Sequence, residues 1–209
     1  VTGTAAVAEA ARRAGVTRIL FGSSSSIYGD STPAPFREDA VAVAPVSPYA
    51  ATKRAGELLL RSVAPIYGLR IASLRFFTVY GPRQRPDMAI DKFTKLIDAG
   101  KKVPMYGDGT SRRDYTYITD IIDGIEKSIN ACSSYHIYNL GESRTIELRE
   151  LIHLIQENLG KKATIEQLPA QPGDVPITYA DISKARREIG YQPQVNISTC
   201  IQRFVEWYN

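Results

Sequence analysis

The side chains best suited to chemistry in this sequence are a run of hydroxyls and a phenol paired with an ammonium. Ser23, Ser24, Ser25 and Ser26 stand together after the apolar Ile19-Leu20-Phe21 and before Ile27-Tyr28-Gly29. Tyr49 and Lys53 follow in Ser47-Pro48-Tyr49-Ala50-Ala51-Thr52-Lys53. A tyrosine titrates near pH ~10 and is a poor base at neutrality. A lysine four residues on shares its helix face and favours the phenolate by Coulomb attraction. Such a phenolate can take the proton of an alcohol while hydride leaves the same carbon. The bland reading is a packing tyrosine beside a solvated lysine, and this spacing is common by chance. The serines alter the balance. Four in a row continue a strand poorly, because hydroxyls compete for backbone hydrogen bonds. They can instead bond a reacting oxygen and a carboxamide or carboxylate, although a serine-rich turn is the plainer alternative. Hydroxyls at a strand end, followed by Tyr49 across a long loop, together read as a site.

The elements that must position these groups follow from periodicity. Thr4 to Ala14 reads as a helix with Ala5, Val7, Ala8 and Ala11 in one stripe and Gly15 as its stop. Thr17–Phe21 reads as a short strand. The stretch 29–46 holds Pro33, Pro35 and Pro45 with little periodicity and reads as a loop, of a length uncommon unless it serves a site. Ser47 is a good N-cap and Pro48 a good first helical residue. That helix should run toward Tyr67 with Leu58, Leu59 and Leu60 inward, and Pro65 should kink it or end it early. Arg70–Phe76 reads as a buried strand.

Beyond the break at Tyr80-Gly81-Pro82 the pattern gives a helix near 88–99 and strand-like pieces near 103–106 and 112–118. A helix near 120–131, a strand at 136–140 and an amphipathic helix at 148–159 come next. A strand near 164–167, a loop at 169–176 and helices near 183–189 and 197–208 complete it. The alternation indicates an α/β fold, a partial doubly wound parallel sheet with a smaller mixed lobe. Ligands of such sheets bind at the carboxyl ends of the strands, where the serine run and the loop after Phe77 both lie. The expected division is 1–82 for the sheet domain and 83–209 mainly for the lobe, with 112–140 returning to the sheet.

The totals exclude several classes. The chain of 209 residues has a net charge of +4 and no basic block, which argues against nucleic-acid binding. No apolar run approaches the ~20 residues that span a bilayer, and no signal peptide is visible. Cys132 and Cys200 have neither metal-ligand spacing nor a disulfide framework, and read as reduced, partly buried thiols of a cytoplasmic protein. His136 and His153 are the only histidines, and neither has a visible nucleophile partner, which argues against a triad. No metal site is expected.

Seven motifs occur in order: Gly22-Ser-Ser-Ser-Ser-Ile-Tyr-Gly29, Ser47-Pro-Tyr-Ala-Ala-Thr-Lys53, Leu74-Arg-Phe-Phe-Thr-Val-Tyr-Gly-Pro82, Gly107-Asp-Gly109, Arg113-Asp-Tyr-Thr-Tyr117, Tyr138-Asn-Leu-Gly141 and Pro172-Gly-Asp174. As a set they resemble the extended short-chain dehydrogenase/reductases of the NAD-dependent epimerase/dehydratase family, which act on nucleotide sugars. Arg83-Gln-Arg-Pro-Asp-Met88 and Gln171-Pro-Gly-Asp-Val175 bring the pattern nearest to UDP-glucuronate 4-epimerases. The resemblance implies a Rossmann-type fold, NAD as cofactor, a UDP-sugar substrate and a homodimer. It makes Tyr49 the general base and Lys53 its electrostatic partner and a ligand of the cofactor ribose. Ser24 would bond the reacting C4 oxygen, and Phe77 would touch the nicotinamide end. Arg113 would bind the diphosphate, Asp174 the uridine ribose and Tyr106 the uracil face. Thr78 stands where related galactose epimerases have asparagine. Arg85, helped by Thr78 and Ser26, is placed to bind a C5 carboxylate. Related 4,6-dehydratases carry an acidic pair in the stretch that holds Ser25 and Ser26 here. Serines cannot supply that acid and base, which argues against dehydration and, less strongly, against decarboxylation.

The implied reaction is NAD-dependent C4 epimerisation of UDP-glucuronate to UDP-galacturonate, with UDP-glucose or UDP-N-acetylglucosamine as alternative substrates. A non-catalytic nucleotide-sugar-binding piece is the reading from another class. One departure stands out. The family's Gly-x-x-Gly-x-x-Gly loop, which binds the dinucleotide pyrophosphate at a helix N-terminus, is not present in these 209 residues. The chain by itself is therefore expected to bind NAD poorly.

Overall fold

The computed structural model describes residues 1–40, 44–170 and 175–209. Helix α1 (Thr2–Arg13) ends through Ala14 at Gly15, whose φ of 71° is a left-handed conformation that glycine adopts without Cβ strain. Strand β1 (Arg18–Ser24) is longer than expected and takes in Ser23 and Ser24. The ladder explains this: β2 (Arg70–Phe76) lies parallel beside β1 along its whole length, with Ser23 opposite Arg75 and Ser24 opposite Phe76. The hydroxyl competition starts one residue later, where the Ser24 Oγ accepts the Ser26 N–H at 3.2 Å and opens a 3-10 turn over Ser25–Tyr28.

Helix α2 (Pro48–Tyr67) starts where Ser47 and Pro48 predict, with the Ser47 Oγ accepting the Ala50 N–H at 3.1 Å. Pro65 does not end it early. The helix continues to Tyr67 and closes on Gly68 in the left-handed conformation. Pro65 and Arg61 are both exposed, so water can take the Arg61 carbonyl that the missing Pro65 N–H leaves without a helical partner. The face turned to the sheet carries Ala50, Gly56, Glu57, Leu60 and Ala64. Leu60 is buried as expected, but Leu58 is 51% exposed, because two helical positions from Leu60 carry it to the other side. Gly56 lets the helix come close: a Cβ there would stand 2.5 Å from the Phe21 Cζ.

After β2 the chain forms β3 (Thr78–Tyr80), α3 (Ala89–Asp98), β4 (Lys102–Tyr106), β5 (Arg112–Arg113) and β6 (Tyr115–Tyr117). It continues through α4 (Ile118–Ala131), β7 (Tyr135–Leu140), β8 (Ile146–Glu147), α5 (Leu148–Leu159), β9 (Thr164–Leu168), α6 (Ser183–Ile189) and α7 (Ile197–Tyr208). The main sheet has the order β1-β2-β7, all parallel. The pairs β3-β6 and β4-β9 are also parallel, and β5-β8 is antiparallel. Alternation along β2 sends Ile71 into a core with Ala8, Leu60 and Ala64 of α1 and α2. It sends Ala72 and Leu74 to the opposite face, into a core with Ile121, Tyr138 and Tyr191. A third core joins α3, α5 and α7 through Ile90, Ile97, Leu151, Ile155, Ile201 and Phe204. Among the described residues no helix is long and apolar enough to cross a membrane.

Candidate active site

The carboxyl end of β1 and the first turn of α2 meet at one groove. It has a volume of about 600 Å³ and is lined by Ser24, Ser25, Tyr49, Phe77, Thr78 and Arg85, among others. Ser24 is the last residue of β1, and Tyr49 is the second of α2. The Ser24 Oγ accepts from both the Ser26 N–H and the Ser26 hydroxyl, at 3.2 and 2.9 Å. Its own proton therefore remains for an oxygen in the groove. Ser26, expected to help hold a carboxylate, is not among the residues lining the groove; its hydroxyl is turned to the Ser24 Oγ instead. Tyr49 is 56% exposed toward this space. Lys53 lies one turn along α2, with its Nζ 5.6 Å from the centre of the Tyr49 ring. The same ammonium donates to the Gly22 carbonyl of β1 at 2.7 Å.

The opposite wall comes from the turn between β2 and β3. Phe77 is buried, and its N–H reaches the Leu140 carbonyl of β7 at 3.2 Å. The Thr78 N–H donates to the Asp114 carbonyl at 3.1 Å, which starts the β3-β6 ladder. Beyond β3 the loop turns sharply at Gly81, where a Cβ would stand 2.5 Å from the Ile118 Cγ2. Arg83 adopts a φ of 63°, a strained left-handed conformation for a residue with a Cβ. Gln84 anchors the loop through its Nε2 on the Val79 carbonyl, while its Oε1 is buried without a partner. Arg85 bonds Asp87 at 2.6 Å and is 72% exposed. Asp87 raises the Arg85 guanidinium above its ordinary value, and Tyr49 adds a smaller push in the same direction.

Tyr106 and Arg113 lie together in a second cavity, of about 320 Å³, which Asp87, Lys92 and Ser111 also line. The loop 85–88 borders both spaces, since Arg85 and Met88 face the first and Asp87 the second. An Arg113 guanidinium nitrogen donates to the Arg112 carbonyl at 2.9 Å. Asp174 falls outside the described residues.

Asp114 holds this region together. Its carboxylate accepts the N–H groups of Glu142, Ser143 and Ala180 at 2.7, 3.1 and 3.1 Å. Burial pushes it up to about 6 against those bonds. Glu142 is pushed up to about 7, first by burial and then by the charges of Asp120 and Asp114, and its Oε2 has no partner.

Sequence reasoning missed a buried charged network directly beneath the groove. Arg75 forms a two-pronged pair with Glu57, with its Nε and one terminal nitrogen each 2.9 Å from a carboxylate oxygen. Both side chains are 1% exposed. The signal was present: an arginine inside the apolar run of β2 requires a buried anion. Glu57 also continues the Tyr49, Lys53 spacing by one more turn. The histidines bring a second correction. The His136 Nε2 lies 3.2 and 3.4 Å from the Ser133 and Ser134 hydroxyls, so it does have hydroxyl partners. Glu188 is 3.9 Å from its Nδ1, beyond hydrogen-bond reach, and this cluster sits at the amino end of β7, away from the groove. Cys132 and Cys200 are both buried and unbridged.

Residues 1–141 match the model of the NAD dependent epimerase/dehydratase family. A UDP-glucuronate 4-epimerase from Thermodesulfobacterium geofontis is 42% identical over 208 residues, covering 99% of this chain and 64% of that protein. Among solved structures, UDP-glucose 4-epimerase from Thermotoga maritima with UDP-glucose superposes with a TM-score of 0.94 at 29% identity, over 100% of this chain and 68% of that one. UDP-glucuronic acid 4-epimerase from Bacillus cereus, in complex with a 4-deoxy-4-fluoro glucuronic acid conjugate of UDP and NAD, superposes at 0.92 with 33% identity, over 99% of this chain and 66% of that one. The chain spans 63–64% of the length of curated relatives it matches. Seven ordered motifs, a parallel sheet ending in a serine-and-tyrosine groove, and these likenesses lead to one conclusion: the chain belongs to the NAD dependent epimerase/dehydratase family.

Proposed function

We propose that this chain carries the proton-transfer and sugar-binding part of an NAD-dependent UDP-sugar 4-epimerase, interconverting UDP-glucuronate and UDP-galacturonate. The observation that carries this reading is that Ser24, Tyr49 and Arg85 open onto one groove, in which Ser25 stands where an eliminating enzyme needs a carboxyl group. The groove suits the nicotinamide end of NAD: the buried Phe77 ring forms a wall, and Lys53 and Tyr49 stand on the adjoining helix face. These three residues would hold that end. When bound, NAD supplies a reversible two-electron oxidation at the sugar C4.

The chain's own residues handle the proton and the orientation. Tyr49, as phenolate, accepts the proton of the C4 hydroxyl and returns it after the sugar has turned over. The Ser24 hydroxyl donates to the same oxygen, and the Lys53 ammonium stabilises the phenolate. A 4-keto hexuronate is a β-keto acid and loses carbon dioxide readily. Arg85 and Thr78, with the Ser25 hydroxyl, hold the carboxylate so that the scissile bond stays out of line with the carbonyl. Guanidinium suits this task because its fork matches a carboxylate. Arg113, Tyr106 and Asp174 serve the uridine diphosphate end.

A second reading is a UDP-glucose or UDP-N-acetylglucosamine 4-epimerase, favoured by the existing engagement of Arg85 with Asp87. The test is a product assay on the complete protein with UDP-glucuronate, UDP-glucose and UDP-N-acetylglucosamine. Tyr49→Phe should abolish turnover of all substrates, and Arg85→Ala should cut UDP-glucuronate turnover far more than UDP-glucose turnover. Equal losses would remove the carboxylate contact, and retained turnover in Tyr49→Phe would remove the base. Calorimetric titration with UDP and with NAD separates both enzyme readings from a binding piece without activity.

A further inference from the structure

The Glu57–Arg75 pair lies at the centre of a network that touches every element bearing a reacting group. Glu57 accepts from the Ser23 hydroxyl of β1 at 2.7 Å as well as from Arg75 of β2. Arg54, one turn back on α2, adds a second cation at 3.0 Å. A terminal nitrogen of Arg75 donates to the Tyr28 hydroxyl at 2.8 Å, and that hydroxyl donates to the Asn139 Oδ1 of β7 at 2.7 Å. The Asn139 amide then reaches the carbonyls of Phe36 and Asp181 at 2.8 and 3.1 Å.

Two of the anchors adjoin groove residues, Ser24 and Phe76, and the third lies on the helix that carries Tyr49. Ser23 precedes Ser24, Arg75 stands two before Phe77, and Glu57 is one turn past Lys53. Helix α2 is therefore pinned to β1 at two successive turns, by Lys53 on the Gly22 carbonyl and by Glu57 on the Ser23 hydroxyl. Burial pushes the Glu57 carboxyl up, but Arg75, Ser23 and Arg54 outweigh it and hold the group below its ordinary value.

Stability alone does not account for a pair of this kind. A buried ion pair is often no better for folding than apolar residues of the same volume. An apolar contact permits sliding, whereas a two-pronged guanidinium–carboxylate bond sets translation and rotation together. We propose that Glu57 and Arg75 are positioning residues: they set the register of α2 on the sheet and so the placement of the Tyr49 phenol and Lys53 ammonium relative to Ser24. The proposal rests on the reading of Tyr49 as the proton acceptor.

The test uses the complete, NAD-loaded protein in single turnover with the UDP-sugar it epimerises, following reduction of the bound dinucleotide. The rate constant reports placement, and the amplitude reports the fraction of folded, loaded protein. In Glu57→Gln, and in the double replacement Glu57→Leu with Arg75→Met, the rate constant should fall about a hundredfold, the size of effect an ångström-scale misplacement produces. The affinity for UDP should stay within about threefold, since the uridine end is held elsewhere. The double variant keeps the volume filled, so it covers the case in which a single change unfolds the chain. A wild-type rate constant with reduced amplitude in either folded variant would make the pair structural only and overturn the proposal. If the unaltered protein reduces no NAD with any UDP-sugar, the function reading fails instead. Placement is then read from the fluorine resonance of 3-fluorotyrosine at position 49: a shift in the double variant upholds the positioning role, and an unmoved resonance overturns it.

Discussion

Glu142 is, with Asp114, a residue whose ionisation should make the stability of this chain depend on pH. Its carboxyl is pushed up to about 7 by burial and by Asp120 and Asp114, and one of its oxygens lacks a partner. The folded chain therefore keeps a proton that the unfolded chain releases near the ordinary glutamate value of about 4.5. By linkage, the contribution is full below that value and is lost as pH rises toward 7. The melting temperature should fall between pH 5 and pH 7.5, and Glu142→Gln should lessen that fall, with Asp114 supplying the remainder. A melting temperature that rises over this interval in the unaltered chain would refute the assignment. Tyr49 and Ser24 were legible because hydroxyl type and spacing carry chemical meaning on their own. Glu142 was not, because its behaviour depends on two acids 22 and 28 residues away that only the fold brings near.

Among the elements, α2 carries the greatest burden, and two of its residues test how. Ser47 caps the turn that presents Tyr49, with its Oγ on the Ala50 N–H. Ser47→Ala should cost about 1 kcal/mol in chemical denaturation. Gly56→Ala places a methyl 2.5 Å from the Phe21 Cζ, so the helix or the ring must shift. Overpacking of this kind costs about 1–3 kcal/mol. An unchanged denaturation midpoint in Gly56→Ala would show that the ring yields freely. The cap and the first proline of α2 were plain in the sequence because they act within a single turn. The fate of Leu58 and Pro65 was not, because three consecutive leucines do not say which one faces a sheet.

For the whole molecule, α1 and α2 leave several large apolar side chains exposed. Val7, Leu58 and Ile66 are 62%, 51% and 74% exposed. The family resemblance implies a homodimer, and these exposed side chains are what we propose a second copy would cover. Light scattering on the complete protein should give twice the chain mass, and Leu58→Lys with Ile66→Lys should give a monomer. A monomeric unaltered protein would exclude that association.

Apart from the short strands β3 and β8, the residues alone carried the order of the helices and the longer strands, the start of α2, the serine-and-tyrosine pairing and the family. Each of these rests on local spacing, on period, or on motifs that keep their order along the chain. The retention of Ser23 and Ser24 in β1 came from the fold, since a ladder partner outcompetes their hydroxyls. The fold alone grouped Arg85 with Tyr49 in one groove and Arg113 with Tyr106 in another. It alone joined Glu57 to Arg75, because a buried charge announces its need for a partner but not which of many acids will meet it.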